Sequence, residues 1–197
     1  MKDILKTGLI LFLVAAIAAL GLGLTNEVTK EPIAEQRRIA NEQAKKEVLP
    51  DAASFTDASD ADIEKIAADF APVIAVYTGL DANGNVIGYV FKSTPIGFGG
   101  NVEVVTGISV EGQVTGLRVG SHNETPGLGA KAKDAAFYEQ YAGKSADEAI
   151  GVSKTAASGN DIQAITGATI SSAAITSGAN ASIDAFHWIL ENGGLGN

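Results

Sequence analysis

No cysteine occurs anywhere in the 197 residues. That excludes disulfides, thiolate nucleophiles, cysteine-ligated iron–sulfur clusters and a lipidated N-terminal cysteine. Histidine is nearly as scarce. His122 and His187 are the only two, too few for a dedicated histidine-rich metal centre. Any redox role therefore needs a bound organic cofactor or a metal held without cysteine. Positive charge is also thin beyond the first quarter of the chain. Residues 1–50 hold seven Lys/Arg and six Asp/Glu, whereas residues 51–197 hold seven and seventeen, a net of −10. A domain that acidic repels a phosphate backbone, so no nucleic-acid partner is expected.

What the chain does have is one long apolar run. Thr7 to Asn26 is 20 uncharged residues between Lys6 and Glu27. At about 1.5 Å per residue such a helix spans roughly 30 Å, the thickness of a bilayer's hydrocarbon core. Lys2 and Lys6 precede it, which favours a cytoplasmic N-terminus. A cleaved signal peptide is the competing reading, with small residues near Ala16 and Ala19. The length of the run favours a retained anchor. The expected division is a cytoplasmic N-terminus at 1–6, a transmembrane anchor at 7–26, a stalk helix and linker at 27–61, and one extracytoplasmic domain at 62–197.

Glu27 to Leu49 reads as the stalk helix. Pro32 sits near its start, where proline is tolerated, and Pro50 stops it. Asp51 to Ala61 is polar and small and reads as a linker, followed by a short helix at Asp62–Asp69. The period then changes to two. Pro72–Leu80 and Val86–Ser93 read as a hairpin whose turn holds Asn83-Gly84. Val102–Val110 and Gln113–Val119 read as a second hairpin. Glycine-rich Ile96–Gly100 lies between the hairpins, and the loop Ser121–Gly129 follows them. Lys131–Tyr141 and Thr169–Asn192 read as helices. The class is α+β: a single N-terminal transmembrane helix and stalk, then an antiparallel sheet with flanking helices.

The sharpest local feature is Ala164-Ile-Thr-Gly-Ala-Thr-Ile-Ser-Ser172 at the head of the last helix. Gly167 lets backbone approach a ligand closely. Unpaired N–H groups at a helix start favour a phosphate, and the Thr169 hydroxyl stands where one could esterify it. The same residues also suit plain helix capping by threonine. Thr125-Pro126-Gly127 suits a simple turn. Gly97, Gly99 and Gly100 suit a bulge or tight connection. Composition and spacing leave these alternatives open.

Thr166-Gly-Ala-Thr169 with Ile-Ser-Ser after it resembles the flavin-attachment motif of the FMN-binding domain family. That family includes the G subunit of Rnf complexes and the C subunit of sodium-pumping NADH:quinone oxidoreductases. His122-x-Glu124-Thr-Pro-Gly-Leu-Gly129 and Ile96-Gly-Phe-Gly-Gly100 resemble two further family loops. The Glu-Thr-Pro-Gly-Leu-Gly form and the chain length look more like the Rnf member than its larger quinone-reductase relative. The resemblance implies FMN joined through its phosphate to Thr169. A flavin transferase would place it there, taking FMN from FAD with Mg²⁺. It implies that Thr166, Gly167, Ala168 and Thr169 hold the phosphate end. Glu124, Thr125, Gly127, Leu128, Phe98 and Gly99 would then line the ring. The family often has Asp six residues before the acceptor; here that position is Gln163, with Asp161 nearby. The implied role is an electron-transfer subunit in the cytoplasmic (inner) membrane. With other membrane subunits it would couple ferredoxin:NAD⁺ electron transfer to Na⁺ or H⁺ movement, without being catalytic alone. A tethered binding or assembly domain without flavin is the alternative, and so is the C subunit of the quinone reductase.

Overall fold

The computed structural model describes residues 2–195, so Met1 of the N-terminal segment and the last two residues of the 62–197 domain lie outside the described part. Contacts divide the chain into two compact units, Met1–Asn41 and Glu42–Asn197. Helix α1, Lys2–Val48, is continuous and contributes to both. In the first unit its large apolar residues are exposed along the whole run, Leu9 to Leu24 included. That suits a segment whose solvent is lipid. Pro32 lies inside this helix and not near a start. The helix runs through the proline although the ring removes one ladder donor, at a cost of about 3 kcal/mol.

The second unit is built on a five-stranded sheet. After α1 come β1 (Ser54–Asp57), α2 (Asp60–Asp69), β2 (Val73–Leu80) and β3 (Val86–Ser93). A two-residue hairpin follows, β4 (Ile96–Gly97) and β5 (Gly100–Asn101), then β6 (Val104–Ser109) and β7 (Val114–Val119). The main sheet runs β1-β2-β3-β6-β7, antiparallel at every step. The stretch expected as a linker at 51–61 therefore holds an edge strand. With Phe55 as its only large apolar residue, β1 shows no alternation to read. The expected helix at Lys131–Tyr141 is broken into a 3₁₀ turn at Gly129–Lys133, a short α3 (Ala135–Tyr138) and a second 3₁₀ turn at Glu139–Tyr141. Asp134 is extended between the first two and stands at the N-cap position of α3, without a side-chain capping bond. A short parallel pair, β8 (Val152–Ser153) and β9 (Ile162–Gln163), precedes α4 (Thr169–Glu191).

Both faces of the sheet are covered, which explains why β3 is buried at four successive positions instead of alternating. On one face Phe91, Ile108 and Leu117 pack with Ile175, Ala179 and Phe186 of α4. On the other, Val48 and Leu49 pack with Val90 and Val105. Gly107 and Gly116 are cross-strand partners beneath the end of α1. A Cβ on Gly107 would run into the Val48 carbonyl, and one on Gly116 would sit 3.3 Å from Val48 Cα. The Thr115 hydroxyl donates to the Val48 carbonyl. Arg118 Nε donates to Glu47 Oε2 at 2.6 Å. Lys45 is buried, with its ammonium 4.3 Å from the Tyr77 ring centroid and 2.6 Å from Glu42.

Register decides where the loops go. Ser93 pairs with Val104 and Val104 with Val119. The β4–β5 hairpin and the loop after β7 therefore leave the same end of the sheet. α4 contacts β3, β4 and β6, which brings its first turn to the same place.

Candidate functional site

The loop Ser121–Leu128 turns on Pro126 and Gly127. Leu128 N–H donates to Thr125 O at 3.1 Å, and Gly127 has φ +76°, the pattern of a type II turn. The segment before α4 repeats the device. Ala168 N–H donates to Ile165 O at 2.9 Å across Gly167, whose φ is +79°. Ser172 staples this turn to the helix. Its hydroxyl donates to Ala168 O and accepts from Ile165 N–H, both at 3.0 Å.

Ala168 is the N-cap of α4 and has no side-chain oxygen to offer. Thr169 is therefore the first helical residue and not the capping residue. Among the described residues nothing accepts from the amides of Thr169, Ile170 or Ser171. Three donors at a positive helix end suit an anion such as phosphate. The Thr169 side chain is half-buried.

These segments enclose one cavity of about 330 Å³, lined by Phe98, Glu124, Thr125, Leu128, Gly129 and residues 167–171. Seven of the ten residues expected from sequence line it. Gly99, Gly127 and Thr166 do not. Gly99 reaches the site through Glu124, as its amide donates to Oε1 at 3.0 Å. Gly127 shapes the turn that presents Leu128. Thr166 faces a neighbouring hollow with Lys131, Asp134 and Gln140. Gly129, Ile170 and Ser171 also line the cavity; sequence reading held them only as members of their motifs and did not single them out. The signal for the last two was available, since a helix beginning at Thr169 carries its open amides there.

Glu124 is buried, and its Oε2 accepts from the Ser171 hydroxyl at 2.5 Å. Burial pushes its carboxyl up, but hydrogen bonds from Ser171 and from the Gly99 and Phe98 backbone outweigh that and hold it below the ordinary glutamate range. Three glycines make room for it. A Cβ on Gly97 or Gly129 would strike the carboxylate, and one on Gly99 the Asn123 carbonyl. His122 does not line the cavity. Its Nδ1 accepts from Glu124 N–H at 3.2 Å. Burial and Lys133 lower its pKa, against a smaller pull from Glu124. His187 Nε2 is 2.7 Å from the Ala146 carbonyl, away from the cavity. Gln163 is exposed and is fixed through its backbone, its N–H donating to Gln140 Oε1 at 2.7 Å. No group of three or more His, Cys, Asp or Glu able to hold a metal occurs among the described residues.

The cavity lies at the small end of the usual range for ligand sites, roughly 300–1,000 Å³. It fits part of a flavin mononucleotide. The open amides suit the phosphate end, and exposed Phe98, Leu128 and Ile170 suit the rim of a planar ring.

Fold and site together define an FMN-binding domain behind a helix apolar and long enough to cross a membrane. The FMN-binding domain family matches residues 97–184, and the RnfG N-terminal region matches residues 1–48. The G subunit of the Na⁺-translocating ferredoxin:NAD⁺ oxidoreductase complex of Acetobacterium woodii is 46% identical, covering 94% of this chain and 92% of that protein. The G subunit of the ion-translocating oxidoreductase complex of Methanosarcina acetivorans is 33% identical, with coverages of 93% and 94%. The chain belongs to the RnfG family, the G subunits of Rnf-type ion-translocating oxidoreductase complexes. Among solved structures, the C subunit of the Na⁺-translocating NADH-quinone reductase from Parabacteroides distasonis aligns at 18% identity and a TM-score of 0.48, over 63% of this chain and 67% of that one. A likeness that slight carries no argument.

Proposed function

We propose that this chain carries FMN as a phosphoester on Thr169 and relays electrons within a membrane complex that couples ferredoxin:NAD⁺ electron transfer to Na⁺ or H⁺ translocation. The observation that carries the reading is convergence. Three loops far apart in sequence close on one cavity, and Thr169 is among its lining residues beside three amides without described partners. The relatives' names support the wider role. The G subunit of the proton-translocating complex of Clostridium ljungdahlii, 41% identical over half of this chain, stands beside its Na⁺-translocating counterpart. Residues 7–26 cross the cytoplasmic membrane in this reading, with 1–6 inside and the domain outside. The partners are the other membrane subunits and, during maturation, a flavin transferase.

Attachment balances as a phosphoryl transfer from FAD. The Thr169 Oγ–P bond forms, the pyrophosphate P–O bond breaks, AMP leaves, and the hydroxyl proton passes to the transferase or to water. Bound FMN supplies the electron-carrying chemistry. The chain's own residues do the rest. The amides of residues 169–171 would hold the phosphate, Phe98, Leu128 and Ile170 would flank the ring, and the Thr125 hydroxyl, which has no hydrogen-bond partner among the described residues, could bond its polar edge. Thr166, Gly167 and Ala168 form the turn that presents the acceptor.

Intact-mass measurement after co-expression with a flavin transferase tests this. Wild-type chain gains one FMN, and Thr169→Val gains none. An unmodified wild-type chain under those conditions favours a binding or assembly domain without flavin.

A further inference from the structure

Glu124 is the one ionisable residue among those lining the Thr169 cavity, and it is only 5% exposed. Both carboxylate oxygens are already engaged, by the Gly99 amide at 3.0 Å and by the Ser171 hydroxyl at 2.5 Å. The side chain therefore ties the β4–β5 hairpin and the start of α4 to its own loop and leaves the cavity no free carboxylate ligand. Its charge remains. No lysine or arginine lines the cavity among the described residues, although cations are the usual partners of a free phosphate. The helix start offers only about half a positive charge. The full negative charge of Glu124, bonded to the third residue of that helix, opposes it.

A phosphate monoester carries about −1.5 to −2 charges near neutral pH. A phosphodiester, the form FMN takes once attached, carries a single negative charge. We infer that Glu124 is a positioning residue that also sets specificity: it fixes the three loops around Thr169, and its buried charge lets the helix start accept the diester of attached FMN while disfavouring the monoester of free FMN. The inference rests on the proposed attachment at Thr169. Its consequence is a site that holds the product of maturation and does not fill with unattached FMN, which would block the acceptor.

The test uses full-length chain in detergent, made without a flavin transferase and titrated with FMN and with riboflavin, the same ring without phosphate. Quenching of flavin fluorescence reads binding. At low ionic strength wild type binds FMN no more tightly than riboflavin. Glu124→Gln keeps an acceptor for the Gly99 amide and removes the charge. It raises FMN affinity about tenfold, the scale of one partly screened charge interaction, and leaves riboflavin unchanged. A purely structural glutamate would move both ligands together. A wild type that prefers FMN tenfold over riboflavin overturns the inference, as does a folded Glu124→Gln chain with no gain for FMN. Should that variant not fold, Ser171→Ala provides the second arm. It removes the hydroxyl but keeps the charge, so a gain for FMN there also overturns the inference. Intact mass of wild type co-expressed with the transferase is measured in parallel. An absent adduct there sinks the attachment itself and leaves the charge argument to the titrations.

Discussion

Two regions of the domain use glycine in the same way and for different ends. Under the end of α1, Gly107 and Gly116 clear the sheet face so that the backbone of Val48 can lie against it. Around Glu124, Gly97, Gly99 and Gly129 clear space for the carboxylate and the loop that bears it. The first region is closed. Its polar groups meet one another, with Thr115 on the Val48 carbonyl and Arg118 on Glu47. The second opens onto a cavity and leaves three amides and a hydroxyl without described partners. Close packing alone marks stability. Close packing that ends in unpaired donors marks a ligand.

The largest effect that can break this comparison is at the open region. Thr169→Val removes attached flavin completely, read as loss of in-gel fluorescence and of the mass adduct. The hydroxyl makes no described hydrogen bond, so unfolding free energy shifts by no more than about 0.5 kcal/mol. A large fall in melting temperature would mean that the site is part of the core after all. Next comes the closed region. Gly107→Ala drives a methyl into the Val48 carbonyl and costs about 2–4 kcal/mol by thermal or denaturant unfolding. Whatever fraction stays folded still takes up FMN. Flavin loss in excess of unfolding would show that the two regions are coupled.

The same contrast explains what the sequence could reveal. Strands at 73–80 and 86–93 were legible because Asn83-Gly84 marks a turn between apolar runs, and Gly84 indeed has φ +84°. The three loops were legible as one site through their resemblance to a family, and register then explains why they meet. β1 was not legible, because an edge strand with one large apolar residue has no period. The end of α1 looked like a stalk because a helix pattern does not say what it packs on. Only the facing glycines record that Val48 lies on the sheet, and glycine has many other uses. Glu124 was legible as a site residue but not in its role. A carboxylate that meets ligand and one that ties loops together are the same letter, and burial separates them.

Gly129→Ala probes the tie between the two functions with a smaller effect. The added methyl meets the Glu124 carboxylate and the Ser171 hydroxyl. We expect about 1–2 kcal/mol of destabilisation and a several-fold lower flavin yield from limiting transferase. An equal loss from Gly116→Ala, whose methyl would meet the backbone of Glu47 and Val48, would erase the distinction between the regions.

Acid gives the finest resolution. His122 has its pKa lowered by burial and Lys133, so the folded state favours the neutral ring that accepts from Glu124 N–H. Its contribution is full above the ordinary value of 6.5 and is lost as pH falls through the lower folded value. Glu124 is also lowered, so its contribution is full above 4.5 and is lost further into acid. The open region should therefore loosen in two stages, seen as earlier hydrogen exchange at the Glu124 amide and then at Gly99. In the closed region Glu47 is held below its ordinary 4.5 by hydrogen bonds from Arg118 and Gln43, so it responds only in the second stage. His122→Asn should remove the first stage and leave the second. If exchange at Glu124 instead follows Glu47 with a single acid transition, the histidine plays no part in holding the loop.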